Sequence, residues 1–155
     1  MDAALRILLV EDNPGDVFLV KEALSRCGTP YELTVAGDGR SAWELLDAHE
    51  REAGQAFNFF LLDLNLPVRT GIELLTRIRR SETAICRAPV VVVTSSKAPS
   101  DRRLTAEAGA DYYFSKPSNL EEFLELGAIV RQLWYRHVER LRESCDNQPT
   151  SKGDL

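Results

Sequence analysis

Short apolar runs recur along the chain at Ile7–Val10, Leu33–Ala36, Phe57–Leu62, Pro89–Val93 and Tyr112–Phe114, and each predicts a β-strand. Two of them, Phe59-Phe60-Leu61-Leu62 and Val90-Val91-Val92-Val93, are apolar throughout rather than alternating. That is the habit of strands covered on both faces of a parallel sheet. The segments between the runs have helical period and legible ends. The first helix has Asn13 as N-cap, Pro14 at its first position and Asp16 in its first turn, then Val17, Val20 and Leu24 on one side, and a stop at Gly28. A second is predicted from about Asp38 to Glu52 with Ala42, Leu45, Leu46 and His49 inward, and a third follows Gly71 with Ile72, Leu75 and Ile78 on one side. The fourth begins near Pro99, carries Leu104 and Ala108 and ends at Gly109. The fifth opens with Ser118 and Glu121 spaced as a capping box and runs long, to Glu143.

Five βα units in succession predict an α/β fold, a doubly wound five-stranded parallel sheet with right-handed crossovers and helices on both faces. From Ser144 the chain is polar and without apolar period, which predicts a globular unit over residues 1–143 and a disordered tail over 144–155.

Composition narrows the function classes. The chain has 155 residues, 44% of them hydrophobic, enough for one filled core. Nineteen basic and 24 acidic residues give a net charge of −5, and only Arg77-Ile78-Arg79-Arg80 concentrates positive charge, which argues against non-specific binding to nucleic acid or to an anionic membrane. Cys27, Cys86 and Cys145 are widely spaced, with only His49 and His137 as companion ligands, so neither a zinc site nor a disulfide framework is expected. The N-terminus lacks a basic region and a sufficiently long apolar run for a signal peptide or a membrane span. A reducing cytoplasm is the expected location.

In a doubly wound sheet the ligand site lies beyond the carboxyl ends of the strands. There the sequence places Glu11 and Asp12 after the first strand, Asp63 after the third, Thr94-Ser95-Ser96 after the fourth and Ser115-Lys116-Pro117 after the fifth. Two carboxylates about 4 Å apart repel by roughly 4 kcal/mol at an effective dielectric near 20, so a bare acidic triad takes up a proton or a cation. Hard oxygen ligands with spare coordination positions suit Mg²⁺ together with a phosphoryl oxygen. Lys116 adds a compact cation and Thr94 a hydroxyl, both suited to the oxygens of a transferring phosphoryl group, and an aspartate can itself be the nucleophile. Singly, each residue has a structural explanation: helix-dipole charge, a turn aspartate, a surface Lys-Pro, a capping hydroxyl. Their occurrence in order on one rim argues for chemistry.

Three other readings compete. A dinucleotide-binding module needs a glycine-rich turn after the first strand, where this chain has Glu-Asp-Asn-Pro-Gly. A phosphatase of the haloacid dehalogenase type is suggested by Asp63-Leu64-Asn65, but Asn65 stands where that chemistry needs a second acid. A binding module independent of phosphorylation would not need the phosphotransfer groups that are all present.

The segments Leu8-Leu9-Val10-Glu11-Asp12-Asn13, Leu61-Leu62-Asp63-Leu64-Asn65-Leu66-Pro67 with Gly71, Val92-Val93-Thr94-Ser95 and Tyr113-Phe114-Ser115-Lys116-Pro117 together resemble the receiver domain of two-component response regulators over roughly Leu5 to Glu143. Asn13-Pro14-Gly15-Asp16, Thr94-Ser95-Ser96-Lys97 and Lys116-Pro117-Ser118-Asn119-Leu120 resemble the single-domain receivers that partner phytochrome-type histidine kinases. The resemblance implies a flavodoxin-like strand order 2-1-3-4-5. It also implies a phosphoprotein in which Asp63 accepts the phosphoryl group, with Mg²⁺ or Mn²⁺ held by Glu11 through water, Asp12, Asp63 and the carbonyl of Asn65. Thr94 and Lys116 would bind phosphoryl oxygens, Thr94 and Tyr113 would form the switch, and Asn65 and Ser96 would tune the acyl phosphate's lifetime. Two positions depart from the pattern: Glu11 stands where many members have Asp, and Thr70 precedes Gly71 where Asp is frequent.

Such a protein is not an enzyme in the ordinary sense, assisting only its own phosphorylation and dephosphorylation. Its expected partners are a sensor histidine kinase, of phytochrome type by the closer resemblance, and a downstream or phosphotransfer protein, with no DNA or membrane. Too few residues follow Lys116 to encode an output domain, so output through a surface is expected. The apolar stripe of the long fifth helix, which includes Trp134 and Val138, either folds back on the first βα unit or forms a homodimer with the fourth helix and fifth strand. The resemblance favours the dimer, with Trp134 and Val138 near its centre.

Overall fold

The computed structural model describes residues 4–52 and 56–146. Five parallel strands, β1 (Leu5–Val10), β2 (Tyr31–Ala36), β3 (Phe59–Leu62), β4 (Val90–Thr94) and β5 (Tyr112–Ser115), form one sheet in the order β2-β1-β3-β4-β5. The helices are α1 (Pro14–Ser25), α2 (Gly39–Arg51), α3 (Gly71–Arg79), α4 (Pro99–Glu107), α5 (Leu120–Leu124) and α6 (Leu126–Asp146), with a short 3₁₀ turn at Ala84–Arg87. β1 lies between β2 and β3, with Val10 opposite both Ala36 and Leu62. The order reverses there, so the crevice of a doubly wound sheet opens above the ends of β1 and β3.

Period decides what covers each face. Leu5, Ile7, Leu9, Phe59, Leu61, Val91 and Val93 point to the side covered by α1, α5 and α6. Leu8, Val10, Phe60, Leu62 and Val90 point to the other, where Ala42 and Leu46 of α2 and Leu74, Leu75 and Ile78 of α3 close over them. The inner strands β1, β3 and β4 are thus buried on both faces, as their continuous apolar runs predict, whereas the edge strands β2 and β5 are only partly covered. α6 comes close to α1 at Gly127, where a Cβ would stand 2.3 Å from the Ala23 carbonyl oxygen, a distance no side chain tolerates.

Several local expectations are corrected. α5 starts after Asn119, whose side chain accepts the Glu122 N–H at 2.8 Å, one residue later than the Ser118–Glu121 capping box. The long fifth helix divides at Glu125, where i→i−3 bonds tighten a turn between α5 and α6. α6 continues to Asp146, so residues 144–146 of the expected tail are helical, and 147–155 lie outside the described residues. Ile72 is only partly buried; Leu74 fills the place expected of it in α3. Leu104 points outward at 52% exposure, and α4 buries only Thr105. Trp134 is 3% exposed and packs in the chain's own core with the residues of β1 and α1, so it cannot lie at the centre of a dimer contact. Val138 packs partly against the same cluster. No described helix is long and apolar enough to cross a membrane.

Candidate phosphoacceptor site

The end of β1 runs directly into α1. Asn13 caps that helix by accepting the N–H groups of Gly15 and Asp16 at 2.8 and 3.2 Å, which fixes the turn carrying Glu11 and Asp12. Glu11 is buried, and its Oε1 accepts the Asn13 N–H at 3.1 Å; Asp12 is exposed. Asp63 follows β3 and is buried, its N–H donating to the Val10 carbonyl at 3.1 Å and its Oδ1 accepting the Asn65 N–H at 3.2 Å. Gly71 makes that placement possible, since a Cβ there would lie 2.2 Å from the Asp63 carbonyl oxygen. In the loop between, exposed Val68 adopts φ +72°, a left-handed conformation that is an outlier for a β-branched residue. Carboxylate oxygens of Glu11, Asp12 and Asp63 all lie within 4.8 Å of one another, a set of hard donors that can hold a divalent cation.

The basic group of the site is Lys116, just past β5 and set there by its N–H bond to the Thr94 carbonyl at 2.8 Å. Its ammonium is bound to three carboxylates: Asp16 Oδ2 at 2.7 Å, Glu11 Oε2 at 2.8 Å and Asp63 Oδ2 at 3.2 Å. Burial alone would lower its pKa. The hydrogen bonds to Asp16 and Glu11, with the charge of Asp63, outweigh burial and hold the ammonium above its usual value. Burial pushes the Glu11 carboxyl up, opposed by Lys116 and the Asn13 N–H and reinforced by the Asp63 charge.

Thr94 is fully buried at the end of β4, its hydroxyl oxygen accepting the Ser96 N–H at 3.3 Å. The Ser96 hydroxyl donates to Asp101 in the first turn of α4 and accepts the Ala98 N–H at 3.3 Å. Tyr113 is half-buried on β5; its phenol donates to the Ser96 carbonyl at 2.8 Å and its ring lies under the Arg102 guanidinium, 4.7 Å from the centroid. Thr94, Ser96, Tyr113 and the start of α4 are therefore one connected group.

The structure brings Glu11, Asp12, Asp63 and Lys116 together as the sequence predicts and places Asn65 beside Asp63. Asp16 is the residue that sequence reasoning missed as a member of the site: it reads there only as a first-turn residue of the helix and as part of the Asn13-Pro14-Gly15-Asp16 segment. The available signal was its position at N3, because helical side chains lean toward the N-terminus and this one leans back over the end of β1.

A doubly wound sheet whose first, third and fifth strands deliver carboxylates and a lysine to one point forms an α/β domain with an acidic pocket at its strand ends. The chain belongs to the response regulator receiver domain family, whose profile matches residues 7–127. It is 35% identical over 133 residues to the response regulator Rcp1 of Synechocystis sp., covering 85% of this chain and 90% of that one. Among solved structures, the phosphorylated cyanobacterial phytochrome response regulator RcpA superposes with a TM-score of 0.75 at 31% identity, over 86% of this chain and 95% of the other. The Mn²⁺-bound form of Rcp1 superposes with a TM-score of 0.73 at 34% identity, over 84% and 94%.

Proposed function

We propose that the chain receives a phosphoryl group on Asp63 from a sensor histidine kinase and relays it as a change of surface. The observation that carries this is the buried ammonium of Lys116 shared between Glu11 and Asp63, with Asp12 in the same cluster. An Asp63 oxygen attacks phosphorus, the bond from phosphorus to the donor's imidazole nitrogen breaks, and that nitrogen keeps the electron pair. Mg²⁺ or Mn²⁺ would be held by Glu11 through water, by Asp12 and Asp63, and by the Asn65 carbonyl; when bound it supplies positive charge against the incoming anion. Thr94 and Lys116 bind the phosphoryl oxygens. Asn65 and Ser96 set the acyl phosphate's lifetime, Ser96 from a position where its hydroxyl already donates to Asp101. The chain assists only its own phosphorylation and dephosphorylation and catalyses no turnover of a separate substrate.

The likeness to Rcp1 and RcpA supports a kinase of phytochrome type and a cytoplasmic location. Output passes through α4, β5 and α5 to a downstream or phosphotransfer protein. The same elements expose Leu104, Tyr112 and Leu120, and we place the homodimer contact there, without Trp134. Sedimentation equilibrium of Leu104→Asp tests that contact: an unchanged mass distribution removes it. The central reading is tested by intact mass after incubation with acetyl phosphate and Mg²⁺. One added phosphoryl group is expected in the wild type and none in Asp63→Asn or in excess EDTA; labelling of Asp63→Asn would overturn the assignment.

A further inference from the structure

The geometry points to Asp16 as the residue that positions the Lys116 ammonium, anchoring it through a carboxylate that is not one of the clustered Glu11, Asp12 and Asp63 throughout the phosphorylation cycle. The inference rests on the phosphoacceptor reading and adds a fourth carboxylate to it. Asp16 makes the shortest of the three contacts to Lys116, 2.7 Å, and the lysine side chain is only 8% exposed. An ammonium has three donors, and all three are used here, on Asp16, Glu11 and Asp63.

These three partners are not equivalent. Glu11 and Asp63 belong to the cluster that can hold a divalent cation, and Asp63 is also the phosphoacceptor. Once a cation neutralises that cluster, the pull of Glu11 and Asp63 on Lys116 weakens, and once Asp63 is acylated its contact, already the longest at 3.2 Å, is lost. Asp16 is the partner left unchanged by both events. It stands on α1, whose first turn is fixed by the Asn13 cap, so its carboxylate is held by the frame of the fold. With Asp16 in place, one donor can turn from Asp63 to a phosphoryl oxygen while the ammonium stays where it is. Without it, the lysine is drawn into the cluster and competes with the cation.

Two readouts test this. Binding of Mn²⁺, followed by the electron paramagnetic resonance of the free ion, should weaken roughly tenfold in Asp16→Asn, because a buried positive charge then lacks its counter-charge beside the cation. Asp16→Glu should restore most of the affinity, and Glu22→Gln, on the exposed side of α1, should leave it unchanged. The Nζ–H signal of Lys116 in a selectively ¹⁵N-lysine-labelled, Mg²⁺-saturated sample should persist in the wild type and be lost in Asp16→Asn. Asp16→Ser serves as a second charge-removing variant if the amide variant fails to fold. Mn²⁺ affinity within twofold of wild type together with a persistent Lys116 signal would overturn the inference and leave Asp16 as helix-dipole charge. Wild-type protein that acetyl phosphate does not label would undo the phosphoacceptor reading instead, so the two failures are distinguishable.

Discussion

α1 and α4 both begin with proline just after a strand that feeds the site, yet they are held in opposite ways. α1 has a side-chain cap at Asn13, buries Val20, Ala23 and Leu24, and has α6 pressed on it at Gly127. α4 follows Ala98, which supplies no side-chain cap, and buries only Thr105; its first turn depends on Ser96, Asp101 and the Tyr113–Arg102 stack. The first helix is thus part of the frame that carries Glu11, Asp12 and Asp16. The fourth is tied to the groups that a phosphoryl group on Asp63 would engage. An element with few buried contacts, held through a switchable group, is the one expected to move when Thr94 and Lys116 acquire a new partner.

The contrast can be broken most forcefully in the core. Trp134→Ala should lower unfolding stability by about 3–5 kcal/mol in urea titrations, whereas Leu104→Ala should change it by under about 0.5 kcal/mol. Similar losses in both would mean that α4 is as firmly packed as the α1–α6 face. A smaller effect is expected from Tyr113→Phe, which removes one hydrogen bond to Ser96, worth about 1 kcal/mol. Amide exchange should rise in α4 and stay unchanged in α1; an increase confined to α1 would contradict the assignment of α4 to the switch.

The smallest predicted effect concerns pH. Burial lowers the pKa of His137 on α6; Asp111 opposes this, while Arg140 and Arg79 add to it. A base with a folded value below its unfolded value near 6.5 contributes stability that is present above that pH and lost as pH falls toward the folded value. The urea midpoint should therefore decline below pH 6.5 in the wild type and decline less in His137→Gln. An identical pH profile for the two would remove His137 from the account.

Much of this was legible in the sequence, for physical reasons. Continuous apolar runs reveal strands covered on both sides, and Asn13 and Asp38 mark helix starts because their side chains satisfy free N–H groups. The strand order follows from the receiver resemblance, and the strand ends then place Glu11, Asp12, Asp63 and Lys116 on one rim. What stayed hidden depends on three-dimensional packing. An apolar stripe does not say what covers it: of the two coverings the sequence leaves open for Trp134, the chain's own α1 face is the one found, not the dimer that the resemblance favours. Adjacent Ser118 and Asn119 can both cap, and the side chain that accepts the Glu122 N–H is that of Asn119. Leu104 has the right spacing for burial, but α4 lies at the sheet edge with little to bury against. Asp16 reads in the sequence as a first-turn residue, and nothing in linear spacing brings position 116 to it.

The most direct test of the central claim is amide hydrogen exchange on the full chain with and without beryllofluoride and Mg²⁺. The account predicts protection around Asp63 and Lys116 and altered exchange across Ser96 to Glu107 and Tyr112 to Ser115, with Val20 to Leu24 of α1 unchanged. Protection at the pocket with no change in α4 and β5, or with the largest change in α1, would contradict it.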